Sequence, residues 1–225
     1  MEDAKGAFVV YNIHALRDPI EISLREISHT GVSRRGRAML GVGMAEKRQL
    51  RTTLLHRLRT QKEEERRRKS EAIGRKLFRL AAFRRARTVL CYVSLPYEVQ
   101  TRQLIEQMLE AGKRVVVPRV CKRALILSEL LDPDQDLALG SFGVWEPRPR
   151  AVRPVPVKKL DLVMVPGLAF DRQGQRLGHG QGYFDRLLAR VPAATPTVGL
   201  CFDFQLLDRL PTDPHDQAVQ AVLSA

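Results

Sequence analysis

Leu50, Leu54, Leu55 and Leu58 recur at i, i+4, i+5 and i+8 in an otherwise charged stretch. That spacing puts them on one apolar stripe and predicts an amphipathic helix from about Ala45, opened by Met44. Lys62 to Arg68 is charged at every position and reads as a break or an exposed turn of helix. A second helix follows, with Ile73, Leu77, Leu80 and Ala81 on its inner face. Val89 to Ser94 switches to strand chemistry and stops at Leu95-Pro96. Thr101 to Ala111 is again helical and closes on Gly112, and Lys113 to Pro118, built on Val115, Val116 and Val117, is a strand. Strand, helix and strand in that order predict a right-handed parallel crossover.

The same alternation continues to the C-terminus. Leu125 to Leu131 reads as a strand, proline-rich Phe142 to Pro156 as a loop, and Leu160 to Val165 as a buried strand ended by Pro166-Gly167. A glycine-dense loop leads into a helix from Tyr183 to Arg190. Thr197 to Phe202 is a strand, Phe204 to Leu210 a short helix, and Val219 to Leu223 a last strand. The pattern predicts an α/β protein, a three-layer sandwich with a mostly parallel central sheet flanked by helices. Residues 44–225 read as one domain. Residues 1–43 lack sustained periodicity and carry Gly31, Gly36, Gly41 and Gly43, so they read as an extension, either flexible or the product of a misassigned start.

Composition narrows the partners. The 225 residues carry a formal charge of +13, and residues 1–43, with six basic and five acidic side chains, contribute almost none of it. Such a charge suits nucleic acid, an anionic membrane surface or a polyanionic small ligand. Most of it lies between Lys47 and Arg87, and the aromatic share is only 6%. We therefore expect a solvated helical face, with a phosphate-bearing ligand drawing on a few arginines and no nucleic-acid partner. No apolar run reaches the roughly 18 residues of a membrane span. There is no secretory pattern, and Glu2, Asp3, Asp18, Glu21 and Glu26 argue against a transit peptide. Cys91, Cys121 and Cys201 are odd in number and have no metal-ligand spacing, so they read as core residues of a reduced compartment. A cytoplasmic location is the expectation.

The chemistry concentrates in one segment. Gly174, Gly178, Gly180 and Gly182 fall within nine residues, after a strand and turn and before a helix. Glycine lets the backbone approach an anion closely, and a helix start offers free N–H groups, so the segment reads as a phosphate cradle. It has neither the Gly-Lys-Ser/Thr of a P-loop nor the early glycines of a dinucleotide fold. Arg176, Tyr183 and Asp185 add a cation, an aromatic surface and a candidate Mg2+ ligand around the same turn.

Arg176-Leu177-Gly178-x-Gly180-x-Gly182-Tyr183-Phe184-Asp185 closely resembles the signature loop of the 5-formyltetrahydrofolate cyclo-ligases, also called methenyltetrahydrofolate synthetases. Lys47 to Arg51, Ser94 to Thr101, Gly143 to Pro147 and Asp161 to Asp171 are similar to further motifs of that family, in order. The resemblance spans about residues 45–224. It implies conversion of 5-formyltetrahydrofolate and ATP to 5,10-methenyltetrahydrofolate, ADP and phosphate, with Mg2+, by a monomer whose folate carries or lacks a polyglutamate tail. Arg176 and Asp185 are the catalytic candidates. Lys47, Arg51, Arg176 and the loop Leu177, Gly178, His179, Gly180, Gln181, Gly182, Tyr183 and Phe184 would hold ATP. Glu98, Phe142, Trp145 and Tyr183 would hold the folate, and Asp185 and Asp216 the metal. Gln181 stands where many members carry lysine, and Gln220 where a second aspartate is common. The rival readings are another α/β enzyme that needs no nucleotide, a basic nucleic-acid-binding protein, and a family member with a diverged role.

Overall fold

The computed structural model describes residues 9–11 and 38–225. In chain order the elements are β1 (Val9–Tyr11), α1 (Ala38–Thr60), α2 (Glu63–Arg79), α3 (Ala81–Arg85), β2 (Thr88–Leu90), α4 (Arg102–Glu110), β3 (Arg114–Cys121), β4 (Ala124–Leu130) and α5 (Pro133–Asp136). They continue with β5 (Leu137–Leu139), β6 (Trp145–Pro147), β7 (Leu162–Val165), β8 (Ala169–Asp171), β9 (Arg176–Leu177), α6 (Tyr183–Leu188), β10 (Thr197–Cys201), β11 (Leu206–Leu207) and β12 (Ala221–Ser224). The reading of residues 1–43 as an extension lies outside the described residues, apart from β1 and the first turns of α1.

A seven-stranded sheet in the order β1-β12-β10-β7-β2-β3-β4 forms the middle layer. Every neighbouring pair is parallel except β3 and β4, which form an antiparallel hairpin. Its side chains sort by the period of two that a pleated strand imposes. Val89, Val115, Val117, Leu162, Met164, Val198 and Leu200 face one core with Leu54 and Leu58 of α1, Ile73 and Leu77 of α2, and Leu104 and Met108 of α4. Leu90, Val116, Val163, Val165, Cys201 and Val222 face the other with Leu187 and Leu188 of α6. The three layers follow directly. Both sheet faces are apolar, hence the near-continuous valine and leucine runs.

Several element boundaries differ from expectation, each for a local reason. The second helix stops at Arg79; Leu80 takes an extended backbone and caps the end, and Ala81 starts α3 with an exposed side chain. Only Gln61 and Lys62 break α1 from α2, because Glu63, Glu64 and Glu65 complement the helix start. β3 runs past Pro118 to Cys121 because from Val117 onward only β4 pairs with it. The region from Phe142 to Pro156 is not all loop: Trp145–Pro147 is β6, paired with β5. The helix expected from Phe204 to Leu210 is a 3₁₀ turn at Asp203–Gln205 followed by β11. Gln205 is buried and donates to the Gly167 and Leu168 carbonyls while accepting from the Phe202 N–H, which fixes an irregular backbone in place of a helix.

The crossover from β2 to β3 through α4 leaves in one direction, and that from β7 to β10 through α6 leaves in the other. The direction in which successive strands are added along the sheet therefore reverses between the adjacent parallel strands β2 and β7. In an open sheet of this kind a crevice opens beyond the carboxyl ends of the strands at that point.

Candidate active site

A cavity of about 1150 Å³ occupies that crevice. Its wall includes Tyr92 and Val93, just beyond β2, and Pro166, just beyond β7. The glycine loop from Arg176 to Asp185 forms a second wall, and α1 and the segment Asp213–Gln217 a third. Of the candidates read from the chain, Lys47, Arg51, Glu98, Phe142, Asp216 and every residue from Arg176 to Asp185 line this one space.

Trp145 does not line it. The preceding loop puts Trp145 and Glu146 on successive positions of β6, so the two side chains point to opposite sides. Glu146 turns inward, buried, and accepts from the Val120 N–H at 2.9 Å. Trp145 turns outward, 50% exposed.

Local chemistry fixes the loop. The buried Asp171 carboxylate accepts three backbone N–H groups, from Gln173, Gln175 and Leu210, and so shapes the turn that feeds β9. Arg176 thereby sits on a strand, its side chain 4% exposed, with Nη2 2.5 Å from Asp185 Oδ1 and Nη1 3.3 Å from the Pro166 carbonyl. Its Nε is buried with no acceptor among the described residues. Gly180 and Gly182 take φ of +97° and +66°, a left-handed backbone that disfavours other residues. At Gly178 space decides, since an added Cβ would lie 2.6 Å from Arg176 Nη1.

The remaining side chains are held across the cavity. Lys47, buried on α1, donates to Asp213 at 2.6 Å and to Asp216 at 2.5 Å. One turn on, Arg51 Nε donates to the Gly178 carbonyl at 3.0 Å. His179 Nε2 lies 2.9 Å from Glu98 Oε1, and Glu98 Oε2 accepts from the Leu95 N–H, tying the loop to the end of the β2 segment. Tyr183 donates to the Lys122 carbonyl, and its ring lies 6.2 Å from that of the exposed Phe142, which holds φ of +59°. Burial raises the Tyr92 phenol well above its ordinary range, helped by the nearby Glu98 carboxylate, so its hydroxyl stays protonated at the cavity wall.

The lining holds four permanent cations, Lys47, Arg51, Arg176 and Arg186, against five carboxylates, Glu98, Glu146, Asp185, Asp213 and Asp216. Despite the chain's overall charge, the cavity has no surplus of positive charge. Among the described residues no group of three or more His, Cys, Asp or Glu side chains is arranged to hold a metal alone. A single carboxylate suits Mg2+, which keeps several waters and takes phosphate oxygens as its other ligands. Asp185 and Asp216 fit that donor set, each at present balanced by a cation.

Reading the chain alone missed Arg186, Tyr92, Glu146 and Asp213. Arg186 lies three positions after Tyr183, a helical neighbour spacing that is a usable signal. Asp213 has no such signal, since it reaches Lys47 across 166 residues. The cysteines fall where expected in two cases: Cys91 and Cys201 are buried and their thiols are pushed up in pKa by burial, while Cys121 is exposed at the end of β3. Among the described residues, no helix is long and apolar enough to cross a membrane.

Fold and cavity together put the chain among open α/β proteins that keep a ligand site beyond the carboxyl ends of parallel strands. Residues 43–225 match the model of the 5-formyltetrahydrofolate cyclo-ligase family, and the chain belongs to that family and is an enzyme of that ligase class. It is 35% identical over 182 residues to the 5-formyltetrahydrofolate cyclo-ligase of Mycolicibacterium smegmatis, covering 79% of this chain and 93% of that protein. The Mus musculus enzyme of the same name is 32% identical, with 79% and 92% covered. The solved 5,10-methenyltetrahydrofolate synthetase of Aquifex aeolicus superposes with a TM-score of 0.71 at 36% identity, covering 79% of this chain and 89% of that one.

Proposed function

We propose that this enzyme converts 5-formyltetrahydrofolate to 5,10-methenyltetrahydrofolate with ATP and Mg2+, releasing ADP and phosphate. The observation that carries the reading is that the glycine loop with its cations and the Glu98–Phe142–Tyr183 group line one cavity. Two reactants held there meet without a further search, the main gain available to a two-substrate enzyme. A formamide oxygen is a poor leaving group. In the proposed sequence it attacks the γ-phosphorus and ADP departs; N10 then attacks the activated carbon and gives up its proton to solvent, and phosphate leaves with the formyl oxygen.

The chain's own groups position reactants and neutralise charge, as in other phosphoryl transfers. Lys47, Arg51, Arg176 and the loop N–H groups grip the phosphates. With only six residues, α6 adds little macrodipole, so the arginines carry more of this task than the helix start. Bound Mg2+, with Asp185 and Asp216 as its protein ligands, would supply the positive charge that the balanced lining lacks. Glu98 would hydrogen-bond the pterin and be held in line by His179, with Phe142 and Tyr183 flanking the ring. On this reading residues 44–225 form the catalytic domain, active as a single copy in the cytoplasm, on folate with or without a polyglutamate tail.

The test is near-ultraviolet absorbance of the purified protein with 5-formyltetrahydrofolate, Mg2+ and ATP, and with ATP omitted. The expected result is an ATP-dependent rise of the methenyl chromophore. A flat trace from folded protein sinks the reading.

A further inference from the structure

Three glycines of the loop each lie against a guanidinium group. A Cβ added at Gly178 would meet Arg176 Nη1 at 2.6 Å, at Gly180 Arg51 Cζ at 3.6 Å, and at Gly182 Arg186 Nη1 at 2.8 Å. The first two arginines are accounted for above, and the third has no assigned task. Arg186 is held from two sides by main-chain acceptors: its Nε donates to the Arg123 carbonyl at 2.9 Å and its Nη2 to the Gln181 carbonyl at 3.1 Å. Its guanidinium also lies 5.1 Å from the Tyr183 ring centroid. A guanidinium has five N–H donors, so these bonds leave three, both of those on Nη1 included. Arg186 is exposed at the cavity rim, and among the described residues no further acceptor takes them.

An arginine fixed in this way has already lost much of the rotamer freedom that binding would otherwise cost, and presents its free edge in the fork that matches two phosphate oxygens. Arg51 and Arg176 are anchored in the same manner, with as many or more donors left over. Arg176 is committed to Asp185 and Pro166, and Arg51 to the Gly178 carbonyl. The β3–β4 turn at Lys122–Arg123 accepts from both Tyr183 and Arg186, so the hairpin fixes the far end of the loop.

We infer that Arg186 is a third phosphate-binding cation of the glycine loop, positioned by the β3–β4 turn and gripping the polyphosphate of the nucleotide. This rests on the ATP reading given above. The alternative role is a brace that only joins loop to hairpin.

The test measures, by calorimetry, binding of a non-hydrolysable ATP analogue with Mg2+ and, separately, of 5-formyltetrahydrofolate. It compares the unaltered chain with Arg186→Met, Arg186→Lys and the double variant Gln181→Lys/Arg186→Met. Loss of one charge-assisted contact should weaken the nucleotide analogue by about tenfold or more in Arg186→Met. Folate affinity should hold, and the KM for ATP should rise more than kcat falls. Lysine at 186, or at the neighbouring 181, should recover part of the nucleotide affinity. Equal weakening of both ligands, no weakening of the analogue, or no recovery with either lysine would overturn the inference in favour of a brace. If the unaltered, folded chain binds no nucleotide at all, the ATP reading itself falls and takes this one with it.

Discussion

Arginine is concentrated in two regions of this molecule, and the two use it differently. Along α2, α3 and the link to β2 stand Arg66, Arg67, Arg68, Arg75, Arg79, Arg84, Arg85 and Arg87, all but Arg66 exposed. Around the glycine loop stand only Arg51, Arg176 and Arg186, yet each reaches a main-chain carbonyl and all line the cavity. On the helical face, Arg67 pairs with Glu71 one turn away, and Arg75, Arg79, Arg84, Arg85 and Arg87 form no ion pair among the described residues. The two aromatics of that stretch, Phe78 and Phe83, pack edge to face at 4.9 Å, and Phe83 is buried. Charge that remains solvated and mobile contributes to the long-range field. Charge held by acceptors at a crevice is preorganised for one ligand. The count of +13 reflects mostly the first region, and the proposed chemistry rests on the second.

The largest expected effect is at Arg176. Removing its guanidinium leaves Asp185 partly buried without its partner, a loss of about 3–5 kcal/mol by analogy with other broken buried pairs. It should also cost about 100-fold or more in kcat/KM for ATP. Arg176→Lys separates the two, retaining charge and much of the stability while losing the fork. Thermal unfolding beside steady-state kinetics measures both, and near-normal kinetics in a folded Arg176→Ala would erase the distinction between the two regions.

Lys47→Met comes next. One charge-assisted hydrogen bond to phosphate is worth about 1.5–3 kcal/mol, so the KM for ATP should rise by about ten- to a hundredfold. An unchanged KM would mean that Lys47 serves only Asp213 and Asp216.

Arg153 belongs to neither region and grips the buried Asp136 at 2.7 Å. That hydrogen bond is the main cause holding the Asp136 carboxyl below the ordinary aspartate range, with the Leu131 and Asp132 N–H groups assisting. A depressed carboxyl stabilises the fold above its unfolded pKa and loses that contribution as pH falls through its folded pKa. Asp136→Asn should therefore be less stable than the parent at neutral pH, with the gap closing in acid. Denaturant unfolding across that range would show a constant gap if the pair contributes nothing.

The smallest effect is expected on the helical face. Arg75→Ala, Arg84→Ala and Arg85→Ala should each change stability by no more than about 0.5 kcal/mol. Together they should leave the kinetics as they were. A marked rise in KM in the triple variant would break the comparison by showing that the outer charge steers the substrate.

Much of the fold was legible in the chain because it is encoded locally. The stripe at Leu50, Leu54, Leu55 and Leu58, the Val115–Val117 run and the closing Gly112 each announce an element within a turn or two of themselves. So does the glycine loop, whose glycines are required by its own φ angles and by close approach. The errors fell where a distant group overrides local preference. Gln205 imposes an irregular turn on Phe204–Leu210, where the local pattern read as a helix, through carbonyls 37 and 38 positions away. The facing of Trp145 depends on how β6 registers against β5, which no local pattern states.

The periodicity, glycine placement and motif order of the amino-acid chain were thus enough to establish an α/β layering, a family and a glycine loop at the candidate site. They act over a few residues, the range in which side-chain spacing and backbone sterics work. Which charges meet was settled only by folding: Lys47 with Asp213 and Asp216, His179 with Glu98, and Arg186 with the β3–β4 turn. These pairs join segments that only the reversal of strand order between β2 and β7 brings to one crevice, and at such separations Coulombic and hydrogen-bonding partners leave no trace in local pattern.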